Sequence, residues 1–197
     1  MPFWSETFGE NRTLKDPKRN FRFMVEFQGI AAAQGGASLW YAKGVSKPSF
    51  SVASAEHTYL NHKFYYPGAL TWNDVTVQLV DPVDPDVTAT IADIIQQSGY
   101  SPPTDATAQS MNTMSKAKAA GSLGTVVIIQ LDSNGKSLEE WTLWNAWISD
   151  AKFGDLSYGD DELTQTDLTL KYDWARVITP QGKSAAVIGG GQEFFKV

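Results

Sequence analysis

Cysteine is absent from this 197-residue chain, and histidine occurs only twice. The first absence excludes a disulfide framework and thiolate chemistry, and it suits a reducing compartment. The second leaves His57 and His62 as the sole imidazoles for any metal site or Ser-His-acid triad. Charged side chains make up only 19%, and Lys and Arg cluster nowhere beyond Lys15, Lys18 and Arg19. With a net charge of -6 and a pI near 4.9, the chain lacks the basic face that displaces phosphate counterions. An acidic wall still lets a polyanion pass without holding it. No run approaches about 20 apolar residues, which excludes an ordinary transmembrane helix, and no membrane anchor is expected. The opening Met1-Pro2-Phe3-Trp4-Ser5-Glu6 has no basic region followed by an apolar run, so no secretory leader is expected. No tandem repeat is visible.

What is present is 42% hydrophobic residues, enough for one compact domain and cramped for two. Residues 1–19 read as a polar N-terminal arm, 20–178 as a single domain and 179–197 as a Gly- and Ala-rich tail. Phe21, Phe23, Val25 and Phe27 alternate with Arg22, Met24, Glu26 and Gln28, the pattern of a half-buried strand. Residues 31–36 form a loop, and a second strand begins at residues 39–42. Residues 45–67 hold β-type side chains but only a weak turn signal at Ala53-Ser54-Ala55. They predict a long hairpin-like excursion loop without a defined core face. Pro67-Gly68 predicts a turn, and Trp72, Val75, Val77 and Leu79 a strand after it. Asp84 with Pro85 predicts a helix start, and Val87, Ile91, Ile94 and Ile95 the helix itself. Residues 102–121 read as an insertion, with an Ala-rich helix over 106–120. Asn134-Gly135 between two apolar runs predicts a tight hairpin. Residues 147–155 cross over, and 165–177 form a last long strand with Leu168, Leu170, Tyr172 and Trp174 on one face. About seven strands with one flanking helix predict a mainly β (α+β) fold, an antiparallel sandwich or barrel.

The search for reactive chemistry yields no catalytic, metal or cofactor site. His57 and His62, five apart, suit neither one helix face nor one strand face, and read as solvated loop residues. Asp81, Asp84 and Asp86 lack the Gly and closing Glu of a calcium loop, and helix-start carboxylates explain them better. Asp160, Asp161 and Glu162 read as a solvated loop tip rather than a hydrolytic pair. Gly189-Gly190-Gly191 lacks the spacing of a dinucleotide loop. Trp141, Trp144 and Trp147 could stack on sugars in a carbohydrate-binding module, but strand alternation divides them between faces.

Three stretches carry a resemblance. They are Asp16-Pro17-Lys18-Arg19-Asn20-Phe21-Arg22-Phe23-Met24-Val25; residues 44–81, with Lys47-Pro48, Asn61-His62-Lys63-Phe64, Pro67-Gly68 and Thr71-Trp72-Asn73-Asp74-Val75-Thr76-Val77; and Asn145-Ala146-Trp147-Ile148, Phe153-Gly154-Asp155-Leu156 and Gln165-Thr166-Asp167-Leu168-Thr169-Leu170-Lys171-Tyr172-Asp173-Trp174. In order and spacing they resemble the tail tube proteins of T4-like contractile-tailed phages, over roughly residues 16–177. The resemblance implies a non-enzymatic virion subunit, made in the host cytoplasm. It forms hexameric rings that stack into a channel for DNA, with sheath, baseplate and tail-terminator proteins as partners. A baseplate tube initiator or secretion-tube subunit of the same fold is the alternative. Lys47, Pro48, Phe50, Val52, Tyr59, Phe64 and Tyr65 are then ring-to-ring candidates, because they lack a clear core of their own. Glu26, Asp167 and Asp173 are candidates for an acidic lumen.

Overall fold

The computed structural model describes residues 17–29, 42–84, 86–102, 113–159, 161–179 and 193–195. Among them, two antiparallel sheets pack face to face, and a separate two-stranded hairpin stands beside them. The strands are β1 (Phe23–Phe27), β2 (Ala42–Val45), β3 (Phe50–Tyr59), β4 (His62–Trp72), β5 (Val75–Val80), β6 (Val126–Leu131), β7 (Ser137–Trp144), β8 (Trp147–Lys152), β9 (Gln165–Lys171), β10 (Trp174–Ile178) and β11 (Glu193–Phe194). Sheet A runs β1-β6-β7-β10-β11 and sheet B runs β2-β5-β9-β8.

Period-two alternation builds the core. Val25 and Phe27 of β1, Val75, Val77 and Leu79 of β5, and Leu168 and Leu170 of β9 point inward and are buried. Val126, Ile128, Leu143 and Ala175 meet them from sheet A. Phe21, expected on the inner face of the first strand, precedes it in a turn and is exposed. The second strand is observed from Ala42; residues 30–41, with the expected loop, lie outside the described residues.

Several expectations are corrected. The excursion is regular: β3 pairs with β4 from Phe50↔Trp72 to Tyr59↔His62. The chain reverses at Leu60-Asn61, not at Ala53-Ser54-Ala55. Pro67-Gly68 is no turn but lies inside β4, where the register shifts between Val52 and Ser54. Proline lacks the N–H that a regular ladder needs, so a bulge accommodates it. Residues 165–177 are two strands in different sheets. The chain turns at Tyr172 and Asp173, and the Asp173 N–H bonds the Trp144 carbonyl at 3.0 Å. The crossover at 147–155 contains a true strand, β8, reached through Asn145 at φ 53. Asparagine tolerates that left-handed backbone better than most residues.

Two helices are observed rather than one. Helix α1 (Val87–Gln97) buries Val87, Ile91 and Ile94 against the sheets. Its N-cap is Asp86, whose carboxylate accepts the Ala89 N–H at 2.9 Å, and Asp81 accepts from the Val87 N–H and the Thr88 hydroxyl. Asp84, expected as the cap, is exposed, and Pro85 lies outside the described residues. Helix α2 (Lys116–Leu123), capped by Ser115, buries Ala119 and Leu123. It ends at Gly124, φ 71, where an added Cβ would lie 2.3 Å from the Gly29 nitrogen. Residues 103–112 lie outside the described residues. The hairpin predicted at Asn134-Gly135 forms as expected, with Asp132 accepting the Asn134 and Lys136 N–H groups.

Candidate assembly surfaces

The β3–β4 hairpin is the largest surface feature. Every residue of β3, and all of β4 but Trp72, is exposed. Eleven residues of β4 reach roughly 35 Å at about 3.3 Å per residue. By register, His57, Tyr59, His62, Phe64 and Tyr66 share one face, and Glu56, Thr58, Lys63 and Tyr65 the other. Glu56 and Lys63 pair across the strands at 2.8 Å. At the tip Leu60 has φ 55 and is 83% exposed. Glycine or asparagine would hold that conformation without strain. Of the ring-to-ring candidates, Phe50, Val52, Tyr59, Phe64 and Tyr65 all lie on this hairpin and are exposed.

Lys47 and Pro48 lie instead at its root and are engaged within the protomer. Pro48 is buried. The Lys47 ammonium donates to Gln130 Oε1 at 2.7 Å and Glu139 Oε1 at 2.9 Å. Glu139, only 8% exposed, also accepts from the Lys18 ammonium and the Trp141 indole N–H. Burial pushes its carboxyl up, but the two ammonium groups and the indole outweigh that and leave it at about 2. One carboxylate thus ties residues 17–20 and the hairpin root to sheet A. An aromatic cluster holds the other side of the root. Phe50 and Trp72 meet edge to face at 5.4 Å, Tyr172 lies 6.0 Å from Trp72, and Phe195 packs on both Phe50 and Trp72.

The lumen candidates do not come together. Glu26 lies on the outer face of sheet A, beside the Val127 and Ile129 rows. Asp167 lies on the outer face of sheet B, opposite Gln78 and Lys152. Asp173 sits at the β9–β10 corner, where Lys116, at 2.6 Å, and Asn145 hold its carboxyl below its ordinary value. The outer face of sheet B pairs Asp150 and Asp167 with Lys152 and Lys171 among Thr76, Gln78 and Thr169.

The hairpin places His57 and His62 on one face, which a single-strand count could not show. No group of three metal-ligating side chains occurs among the described residues. Asp161 and Glu162 are exposed, and Asp160 and residues 189–191 lie outside the described residues. The three tryptophans form no platform. Trp141 packs against the core, Trp147 lies beside Met114 and Ala119, and Trp144 stacks on Trp174 at 6.1 Å. No helix among the described residues is long and apolar enough to cross a membrane. Sequence inspection missed Leu60, Glu139 and Phe195. The two-residue loop Leu60-Asn61 between β-type runs was the one available signal.

Comparison with known proteins adds a fold assignment. No family model and no curated protein matches the chain in sequence. Among solved structures, a chain of the anti-feeding prophage (AFP) tube terminating cap matches with TM-score 0.62 and 15% identity, over 88% of this chain and 99% of that one. A chain of the six-fold symmetrised AFP baseplate gives TM-score 0.60 and 16% identity, over 85% and 99%. One from the sheath/tube terminator of PVC, an extracellular contractile injection system, gives 0.58 and 15%, over 84% and 99%. The chain therefore has a tube-like fold shared with chains of contractile injection particles.

Proposed function

We propose that this chain is a non-enzymatic tube subunit of a contractile particle, forming rings that stack through the β3–β4 hairpin. The hairpin carries the proposal. A free two-stranded ribbon is marginal in water, yet this one exposes Phe64, Tyr65, Tyr66 and a strained apolar Leu60. Burying each such side chain against a neighbour contributes roughly 1.5–3 kcal/mol. The folds matched in AFP and PVC support a place beside sheath and terminator proteins, and the six-fold symmetry of the AFP baseplate supports rings of six. Conduction of DNA and residence in a virion rest on the phage resemblance alone. Negative-stain microscopy of the purified chain tests the proposal: stacked rings or tubes are expected. A protein that stays monomeric at high concentration and on added baseplates would overturn it. Because a cap chain is also matched, a terminator or initiator is the second reading, distinguished by single rings that do not elongate.

A further inference from the structure

The C-terminal strand β11 occupies an unusual position. It lies at the edge of sheet A, where Phe194 pairs with Val177 and Glu193 with Ile178. Strand β10 is five residues long, so its first three, Trp174 to Arg176, have no strand opposite them on that side among the described residues. An edge strand is a ready template for pairing with another chain. A two-residue strand covers it only in part.

The next residue links this edge to the hairpin. Phe195 has φ 63, a conformation a bulky side chain rarely adopts. Its ring meets Trp72 edge to face at 5.4 Å and Phe50 at 6.2 Å, while remaining 46% exposed. The last described residues therefore touch both the open edge of sheet A and the root of the hairpin. Short pairing, strained backbone and a half-exposed ring make this a weak attachment beside strands of ten and eleven residues.

We propose that residues 193–195 are a displaceable cap. In the free subunit they cover the edge of β10 and brace the hairpin root. On assembly they yield that edge to a strand of a second copy of this chain. The occupant that fits is β1, the opposite edge strand of sheet A, which at five residues matches β10 in length. Such pairing joins sheet A of one subunit to sheet A of the next, and release of Phe195 frees Phe50 and Trp72 as it happens. The proposal rests on the tube reading for the architecture, but the cap itself concerns only self-association.

The absence of cysteine makes a selective test available. Ile178→Cys with Glu193→Cys introduces a single pair at directly opposed positions, within the reach of a disulfide. Sedimentation velocity over a concentration series reads self-association, and microscopy reads its product. The oxidised variant is expected to associate about tenfold more weakly than its reduced form, and reduction should restore association. Deletion of residues 193–197 should strengthen association by a similar factor. Equal association of the oxidised and reduced forms overturns the cap, as does a folded deletion variant that associates no better than the full chain. Tubes formed by the locked protein would defeat the cap and leave the tube reading standing. Cap-controlled association into particles other than rings or tubes would do the reverse.

Discussion

Glu139 shows how a single side chain can organise a distant surface. Its carboxylate, with Gln130 beside it, receives Lys18 from the segment before β1 and Lys47 from the connector leading to β3. A buried carboxylate without such donors would be driven toward its neutral form; here the donors prevail and its value falls from 4.5 to about 2. A folded-state value below the unfolded one adds stability that is fully present above about pH 4.5 and is lost as the pH falls toward 2. The full difference corresponds to roughly 3 kcal/mol, and the half-exposed lysines screen part of it. Glu139→Gln is therefore expected to cost about 2 kcal/mol at pH 7 by urea unfolding. The gap to the parent chain should close as the pH is lowered from 4.5 to 3. A gap of unchanged size at pH 3 would place the cost in packing rather than in the ion pairs.

At the scale of elements, the hairpin tip and the end of α2 make opposite predictions. Leu60→Gly relieves a left-handed leucine, so the free subunit should be unchanged or more stable by about 1 kcal/mol. The same change removes an apolar side chain from the proposed ring contact, so the concentration needed for tubes should rise. A parallel loss of stability and assembly would show that the tip matters only for folding. Gly124→Ala meets both a positive φ and the backbone of Gly29, and should destabilise the fold by about 2 kcal/mol or more in thermal unfolding. Excising residues 54–67 and closing the stub with Asn-Gly should leave the sandwich folded, because no member of its buried core lies there, and should abolish stacking. Normal tubes from that variant would refute the hairpin assignment. These elements were unequally legible. The alternation in β1 and β5, the Asn134-Gly135 turn and the isoleucine spacing of α1 depend on local pattern, and local pattern reports them well. Pro67-Gly68 misleads because a bulge and a turn ask for the same residues. The apparent single strand over 165–177 hides a change of sheet, since alternation continues through Tyr172 and Asp173 while the backbone turns. Glu139 was illegible because its partners lie 92 and 121 positions away.

For the whole molecule, the question is what a channel built from this chain does to a polyanion. The net charge of -6 argues against adhesion, but net charge is a sum over surfaces that face different ways. The outer face of sheet B sets Asp150 and Asp167 among Lys152 and Lys171, with threonine and glutamine between them. That face is polar and close to neutral rather than strongly acidic. The outer face of sheet A carries Glu26 and Glu140 against Arg176, on an otherwise apolar surface. Neither face concentrates positive charge. Each phosphate neutralised by a lysine or arginine would steepen the fall of binding with salt, by about 0.9 per contact on a log–log plot for duplex DNA. A wall of balanced charge makes few such contacts in excess of its repulsions, so little attraction accumulates along the bore. Assembled tubes mixed with short duplex DNA should therefore leave it in the supernatant on sedimentation, at low and at physiological salt alike. Co-sedimentation at low salt that disappears steeply as salt is added would reveal a lysine-lined path. It would overturn the low-adhesion wall without touching the case for a tube.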